Sequence, residues 1–411
     1  MSETARLDVG QVREGLKRVH QEQFSLLPGI ESDTQHECGR GIVPKQDPTA
    51  WKGSGDGGHF MTSIKRCASV WSCPTCSARI CWSRGQELQE LIDAHVEGGG
   101  DVLFVTATLP HHSGHSLFQS AEAVTDAWSY LKAGAPWRRW AERIGYMGAV
   151  TAKEPTHGAN GWHPHVHALF FISGSIDDRT MEEFDVWLTD RWARKIEAFQ
   201  DAPLEQGPNG PRLARRNLTE KPREDDPDPL FGRPHPRIGI RVVKGEKAGR
   251  YVAKMGLGRE ATRMDVKSGR DGNRTPLQIL KDYAEHGDPH DAALWVEYCR
   301  VMKGRRHLVW SPGLKEKLEA FRGRQLELLT DEEAAAGPEP GDQDELVVQI
   351  DRVLWWGIRK ALPELSEQWV CRYLDVYGLD SFIQLVRTAA VNASIQGEVR
   401  HDRAAKRLWL S

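Results

Sequence analysis

The chain has 411 residues, of which 39% are hydrophobic and 27% are charged, and its formal net charge is −3. This length exceeds one ordinary domain, so two or three domains are expected. The sequence shows no apolar run of about eighteen residues and no secretory signal, so we expect no transmembrane helix and a cytoplasmic protein.

Cysteines are concentrated near the beginning of the chain, where five of the seven occur. In a cytoplasmic protein such clustering favours metal binding over disulfides. A CxxC knuckle lets two thiolates reach one ion, and Zn²⁺ needs four such ligands in a closed tetrahedral site. We expect a structural zinc site formed by Cys38, Cys67, Cys73 and Cys76. Cys81 is the spare, because it lies in a predicted helix over residues 77–91. The alternatives are a redox CxxC, which needs a βαβ context that the pattern lacks, and inert thiols.

Three strands are predicted in the middle of the chain from alternating apolar residues, over positions 101–109, 146–154 and 163–172. A helix over 118–132 separates the first two strands. Turn-forming residues between the second and third strands predict that these two form an antiparallel hairpin.

The third strand carries three histidines on one face, His163, His165 and His167, opposite an apolar face. Imidazoles two positions apart on a strand can converge on one metal ion. The alternative is a polar strand face with solvated histidines. The predicted hairpin places Glu154 across from His163 and His165, which makes Glu154 a candidate third ligand. His157 and His163 are its competitors.

The second half of the chain contains a basic segment. From position 233 to 274 there are twelve lysines or arginines and four acidic residues, which fits either a phosphate-binding face or a solvated charged surface. Within it, a strand over 237–243 precedes a predicted helix on which Lys247, Tyr251 and Lys254 share one face. Before it, we expect an amphipathic helix over 177–199 with core aromatics, and a proline-rich surface loop over 200–236.

We therefore expect six segments along the chain. They are an N-terminal arm (1–35), a cysteine-rich zinc module (36–95), a central domain (96–275), a helical extension (276–328), an acidic linker (329–346) and a small helical C-terminal unit (347–411).

The pattern His165-Val166-His167 resembles the His-hydrophobic-His motif of the HUH endonuclease superfamily. More narrowly, residues 36–275 resemble the rolling-circle replication initiators of bacterial plasmids, the Rep proteins of actinobacterial type. The agreement extends over four stretches: Phe104-Val-Thr106-Ala-Thr108-Leu, Gly161-Trp-His-Pro-His-Val-His167, Tyr251-Val-Ala-Lys254, and the cysteine set with Val70-Trp-Ser-Cys73-Pro. The histidine and cysteine motifs are the specific ones, and the YxxK pattern alone is weaker.

This resemblance implies an α+β fold, in which a central antiparallel sheet has helices on one face and a metal site on its open face. In this reading 96–275 is the HUH endonuclease domain, preceded by the small zinc-binding module and followed by a helical C-terminal region.

The resemblance also implies a reaction. A Rep protein of this kind nicks and rejoins one DNA strand at the double-strand origin through a 5′-phosphotyrosine, leaving a 3′-OH primer, and works with a host helicase and the replicative polymerase in the bacterial cytoplasm. The implied residues are Tyr251 and Lys254 for catalysis, Glu154, His165 and His167 for Mg²⁺ or Mn²⁺, the four cysteines for Zn²⁺, and Lys247, Arg250, Thr106 and Thr108 for DNA. Glu246 and Glu260 are candidates for the terminating cleavage.

Two alternatives remain. One is an HUH-type single-strand transposase or relaxase, although such transposases pair two tyrosines and relaxases place their tyrosine before the histidines. The other is a non-catalytic zinc-dependent DNA-binding protein, in which the histidines are structural and Tyr251 is an ordinary surface residue.

Overall fold

The computed structural model describes residues 37–54, 58–111, 113–200, 204–207, 210–213, 239–244, 272–322, 328–337, 339–362, 365–392, 397–400 and 407–410. No helix in these ranges is long and apolar enough to cross a membrane. The chain folds into two compact units. The terminal unit contains the described residues up to Ile80 and from Leu329 onward, and the central unit contains those from Cys81 to Leu328.

The helices and strands follow one another along the chain in a mixed order. The strands are β1 (Thr49–Lys52), β2 (His59–Thr62), β3 (Asp101–Thr108), β4 (Tyr146–Gly158), β5 (Gly161–Ile172), β6 (Leu204–Gly207), β7 (Gly210–Leu213), β8 (Ile240–Lys244), β9 (Leu308–Trp310), β10 (Glu345–Ile350), β11 (Gly397–Arg400) and β12 (Arg407–Leu410). The helices are α1 (Pro74–Glu97), α2 (Leu117–Leu131), α3 (Gly134–Arg143), α4 (Asp178–Gln200), α5 (Pro276–His286), α6 (Pro289–Met302), α7 (Leu314–Arg322), α8 (Asp331–Ala336), α9 (Arg352–Ala361) and α10 (Glu367–Asn392).

The central unit is built on a five-stranded antiparallel sheet in the order β8-β3-β5-β4-β9. Its three long strands coincide closely with those predicted from alternation of apolar residues. The α+β class with antiparallel pairing is therefore confirmed. Of the aromatics expected in the core of α4, Phe184 and Trp192 are buried, at 0% and 1% exposure, and Trp187 is partly buried against the same core.

Strands β4 and β5 form the predicted hairpin, with a two-residue turn between Gly158 and Gly161. Gly161 has a φ of 85°, which favours glycine. A Cβ on Gly158 would lie 1.8 Å from Asn273 Oδ1, so that position also needs a residue without a side chain. The resulting register pairs Glu154 with His165, as the sequence predicted.

Helices pack on both faces of the central sheet, not on one face as expected. On one face α2, α3 and α4 cover a core that includes Val105, Val166 and Phe170. On the other face Phe104, Leu169 and Phe171 pack against leucines of α1 and α7. The reason is that β3 and β5 are apolar on both faces toward one end of the sheet, and only their other end carries polar side chains on this second face. That polar end holds the histidines.

Other predicted elements agree less fully. The strand expected over 237–243 is β8, which begins at Ile240. The segment 200–236, expected to be a loop, contains the hairpin of β6 and β7. The amphipathic α3 was not foreseen, because it spans only ten residues. By contrast, α2 matches its prediction and begins with reciprocal hydrogen bonds between Ser116 and Gln119.

The terminal unit has its own five-stranded sheet, in the order β12-β11-β10-β1-β2. Helices α9 and α10 cover one face of it and bury Trp355 and Phe382 completely. We expected only helices from 347 onward, but this part of the chain also supplies β11, β12 and most of β10. Strand β10 pairs with β1, about 300 residues away, and β11 and β12 extend the sheet from β10, so local patterns do not contain the signal for this sheet.

The six segments expected from the sequence remain a prediction as domain boundaries. The strand pairing joins two of these segments, because β10 lies between β1 and β11 in a single sheet. The cysteine-rich segment and the C-terminal segment therefore share one hydrophobic core. The acidic segment 329–346 contains the short helix α8, which starts at a capping box formed by Thr330 and Glu333.

Candidate functional site

Three side chains predicted from the sequence converge on the polar end of the central sheet. Glu154 of β4 and His165 and His167 of β5 each offer one ligand atom, and these atoms lie within 4.8 Å of one another. Glu154 Oε2 is 3.2 Å from His165 Nε2 and 3.6 Å from His167 Nε2. We call these three residues the histidine centre. Their spacing could hold a metal ion.

The Nδ1 atom of each imidazole contacts a group outside the histidine centre. His165 Nδ1 donates to the carbonyl oxygen of His163 over 3.1 Å, which leaves its Nε2 lone pair directed at the centre. His167 Nδ1 lies 3.2 Å from Thr106 Oγ1 on β3. Phe104 stacks parallel to the His167 ring, with the ring centroids 5.6 Å apart. Such contacts orient imidazole ligands before an ion binds.

Burial and charge set the protonation of the two histidines in opposite directions. Burial opposes protonation of His165, but the hydrogen bond to Glu154 and its negative charge outweigh burial and raise the pKa of His165. Burial, together with the charge of His165, holds the pKa of His167 well below its ordinary value. A cation that binds at the centre needs the neutral form of both imidazoles, so its binding would compete with protonation of His165.

The two competitors for the third ligand position lie in other surroundings. His163 stacks on His111 with centroids 4.5 Å apart, and burial lowers its pKa to about 3. His157 packs edge-on against Trp162, and its backbone pairs with Arg274. Neither belongs to the three-ligand group found among the described residues.

Residues expected to contact DNA are only partly within the described part of the chain. The hydroxyl of Thr106 faces His167, and the hydroxyl of Thr108 donates to the carbonyl of Gly239 over 3.2 Å. The other two expected DNA contacts, Lys247 and Arg250, lie outside the described residues. So do the expected catalytic residues Tyr251 and Lys254 and the candidates for the terminating cleavage, Glu246 and Glu260.

The donor set of the histidine centre fits a divalent ion. Two neutral imidazole nitrogens and one carboxylate oxygen are common ligands of first-row transition metals, and the carboxylate also suits Mn²⁺ and Mg²⁺. Glu154 is 8% exposed and His167 is 3% exposed, so an unpaired carboxylate here would be costly without a cation or a proton.

A second metal-binding group occurs in the terminal unit and consists of the four predicted cysteines. Their sulfur atoms all lie within 4.8 Å of one another, and Cys38 Sγ is 3.4 Å from Cys76 Sγ and 3.6 Å from Cys73 Sγ. Four thiolates around Zn²⁺ at about 2.3 Å would lie about 3.8 Å apart, so this spacing fits zinc. We call them the cysteine centre. Cys81, the expected spare, is outside the group.

Buried charges adjoin the cysteine centre. Glu367 at the start of α10 forms ion pairs with Arg66 and with Arg79, the latter at 2.7 Å. Arg79 also donates to the carbonyl oxygen of Ala336 at the end of α8 over 2.9 Å. Through these bonds the helix that begins with the CxxC knuckle is tied to the C-terminal segment of the same unit.

Arg241 was not among the residues predicted from the sequence, but it lies in the same row of the sheet as Thr106 and His167. Thr106 pairs with His167 on one side and with Arg241 on the other. The alternation of residues in β8 indicates the face of Arg241, because Ile240 and Val242 face the core and the residue between them must face the opposite side of the sheet.

Comparison with known proteins finds a distant curated relative. The chain is 26% identical over 308 residues to a curated protein named "Protein rep" from Streptomyces lividans. The match covers 64% of this chain and 65% of that protein, slightly less than two thirds of its length. No protein-family model matches the chain, and no solved structure matches it.

Proposed function

We propose that this chain is a Rep-type protein that initiates rolling-circle replication by nicking and rejoining one DNA strand. The observation that carries the proposal is the convergence of Glu154, His165 and His167 on the polar end of an antiparallel sheet. The name of the Streptomyces relative supports a role in replication. Origin DNA is then the substrate, and a host helicase and the replicative polymerase are the expected partners.

The histidine centre would hold the catalytic ion, Mg²⁺ or Mn²⁺. When bound, such an ion polarises the scissile phosphate and offsets negative charge that develops in the transition state. Glu154 and the two Nε2 atoms supply its ligands, and Thr106 fixes the orientation of His167. The cysteine centre would hold Zn²⁺ in a structural role.

Tyr251 is the proposed nucleophile. Its phenolic oxygen would bond to phosphorus as the bond to the 3′ oxygen breaks, giving a 5′-phosphotyrosine and a free 3′-OH. Lys254 and Lys247 would favour the phenolate or bind phosphate, because nearby positive charge lowers the pKa of a tyrosine. The phosphodiester energy is kept in the covalent bond and is available for rejoining.

The chain is long enough to bring Tyr251 to the histidine centre. Lys244 pairs with Leu103, three strand positions or about 10 Å from the row of Thr106 and His167, and β8 lies two strands or about 10 Å from β5, so about 14 Å separates Lys244 from His167. The seven residues from Lys244 to Tyr251 can span up to about 25 Å when extended. The reach of this segment therefore exceeds the distance that the mechanism requires.

Covalent capture of DNA tests the proposal. The full chain is incubated with Mn²⁺ and a labelled single-stranded oligonucleotide from the origin, and the adduct is separated by denaturing electrophoresis. We expect an adduct with the wild-type chain and with Tyr283→Phe, a matched tyrosine on α5. We expect none with Tyr251→Phe and strong loss with His165→Ala.

An adduct that persists in Tyr251→Phe would show that another residue is the nucleophile. If the wild-type chain binds the oligonucleotide but forms no adduct under any divalent ion, the chain is a non-catalytic DNA-binding protein instead. Nicking of transposon ends in preference to a plasmid origin would point to the transposase class.

A further inference from the structure

Arg241 occupies a defined position relative to the histidine centre. The register pairs Thr106 with both His167 and Arg241, so these three residues form one row across β5, β3 and β8. Neighbouring strands lie about 4.8 Å apart, which puts the Cα atoms of His167 and Arg241 about 10 Å apart. Residues directly opposite each other in a sheet share a face, so Arg241 lies on the face of the histidine centre.

Within the described residues, the guanidinium of Arg241 is accessible to a ligand. Arg241 is exposed, whereas its neighbours Ile240 and Val242 are each 6% exposed and belong to the core of the opposite face. Among the described acidic residues, Asp185 of α4 interacts electrostatically with Arg241. The Oδ1 atom of Asp185 already accepts the Val242 backbone N–H at 2.8 Å. In the described part of the chain, no ion pair holds the guanidinium of Arg241.

A strand of DNA with one phosphate at the histidine centre carries further phosphates on both sides. The guanidinium group binds phosphate through two parallel hydrogen bonds, and its side chain is long enough to cover much of the distance between β8 and the centre. Thr106 lies between the two sites with its hydroxyl turned to His167, so it does not compete for the phosphate.

We propose that Arg241 is a positioning residue that binds a phosphate flanking the scissile one and so fixes the path of single-stranded DNA across the sheet toward β8. This inference rests on the proposed function. Arg241 acts on DNA and does not act on the metal ion, so its loss weakens DNA binding and leaves metal affinity and the rate at saturating DNA nearly unchanged.

The first experiment separates these quantities. Adduct formation is measured in single turnover against oligonucleotide concentration for the wild-type chain, Arg241→Ala, Arg241→Lys and Arg139→Ala. Arg139 is a matched control, since it is exposed on α3, which covers the opposite face. We expect roughly a tenfold rise in half-saturating DNA for Arg241→Ala, in line with a lost hydrogen bond to a charged group. Arg241→Lys should recover part of the loss, and Arg139→Ala should match the wild type.

The second experiment locates the phosphate. Oligonucleotides that carry a single neutral methylphosphonate at successive linkages are bound to each variant, and binding is followed by fluorescence anisotropy without any need for cleavage. For the wild-type chain, we expect one flanking linkage whose neutralisation weakens binding about as much as Arg241→Ala does. In Arg241→Ala that linkage should no longer matter, while the other sensitive linkages keep their effect. The slope of log affinity against log salt should also fall by about 0.7.

The outcomes distinguish the two proposals. The role of Arg241 is refuted if Arg241→Ala binds every oligonucleotide like the wild type. It is also refuted if every methylphosphonate weakens DNA binding by Arg241→Ala as much as it weakens binding by the wild type. In either case the proposed nicking reaction stands. If the wild-type chain forms no adduct, the proposed reaction fails, and the anisotropy series still decides whether Arg241 contacts a phosphate. Unchanged Mn²⁺ affinity in Arg241→Ala excludes an indirect effect through the histidine centre.

Discussion

The ring of His167 is restrained from three directions. Phe104 stacks on its face, Thr106 contacts Nδ1, and Glu154 lies 3.6 Å from Nε2. His165 contacts the carbonyl oxygen of His163, Glu154 and, edge-on, the ring of His167. His167 is held in addition by the stacked ring of Phe104 and the hydroxyl of Thr106, so we expect it to be the more rigid ligand of the centre.

The contact between Thr106 and His167 leads to a prediction about metal affinity. Thr106→Val keeps the shape of the side chain and removes the hydroxyl, so His167 Nδ1 loses its partner. We expect Mn²⁺ affinity to fall about 10-fold to 100-fold, the usual effect of losing an outer-shell hydrogen bond. Isothermal titration of the full chain with Mn²⁺ measures this.

Thr106→Ser is the matched control, because it retains the hydroxyl and loses only a methyl group. Its affinity should lie within a few-fold of the wild type. Equal affinities for the serine and valine variants would show that the Thr106 hydroxyl does not hold His167.

The histidine centre could be predicted from sequence because its three members lie on two adjacent strands joined by a tight turn. A period of two fixes the face of His165 and His167, and the turn fixes Glu154 opposite them. Arg241 could not be placed in the same way. Its row is set by pairing of β8 with β3 across more than 130 residues, and nothing local identifies that partner.

At the scale of elements, Glu297 of α6 connects three parts of the central unit. Its Oε2 atom accepts the indole N–H of Trp162 on β5 at 2.8 Å, and its Oε1 atom accepts the backbone N–H of Leu117 at the start of α2 at 2.7 Å. Trp162 is only 2% exposed, so water cannot readily replace the carboxylate. Glu297 therefore supports the hairpin that carries the histidines.

Removal of this carboxylate should destabilise the central unit. Glu297→Ala leaves two donors without their acceptor, at a cost of about 2–3 kcal/mol in the free energy of unfolding. Equilibrium urea unfolding followed by tryptophan fluorescence measures the change. Glu297→Gln should lose less, since its amide oxygen can still accept one of the two bonds.

Glu285→Ala on the neighbouring α5 provides the comparison. Its carboxylate is 54% exposed and lies 3.8 Å from Lys281, a surface ion pair of small value. We expect a change below about 0.5 kcal/mol for this variant. A similarly small change for Glu297→Ala would mean that the two hydrogen bonds contribute little.

The elements predicted correctly are those with long, regular patterns, such as β3, β5 and α4. Those that were missed are short or depend on distant partners. β10 has six residues and lies beside β1 in the sheet, and its sequence lies at the end of an acidic stretch that resembles a linker. The prediction of helices on one face failed because Phe104, Leu169 and Phe171 are apolar on the side that the histidines share.

At the scale of the whole molecule, the terminal unit combines two distant parts of the sequence. Its sheet joins β1 to β10, and the ion pairs of Glu367 join α10 to Arg66 and Arg79 beside the cysteine centre. Zinc should therefore stabilise residues at both ends of the chain, because the segments form one core.

Loss of zinc can be tested by limited proteolysis. Cys73→Ser removes a ligand, so we expect bound zinc to fall from one ion per chain to none. New cleavage should then appear both before Ile80 and within residues 329–392. The measurements are zinc content by atomic emission and the masses of the proteolytic fragments.

Cys371→Ser is the control in the same unit, since Cys371 lies on α10 outside the cysteine centre. It should retain one zinc ion and the wild-type fragment pattern. If Cys73→Ser loses zinc while residues 329–392 stay resistant to protease, the C-terminal segment is stable without the cysteine centre.

The position of β10 between β1 and β11 also governs the order in which this protein can be assembled on the ribosome. The part of the terminal unit that ends at Ile80 cannot complete its sheet until β10, which begins at Glu345, has been synthesised. At about 5–20 residues per second that interval lasts tens of seconds. A hairpin of β1 and β2 alone is marginal in water. The nascent chain therefore carries its cysteines in an incomplete fold throughout the time in which the histidine-bearing sheet is made, and early capture of zinc would protect that part of the chain from misfolding and degradation.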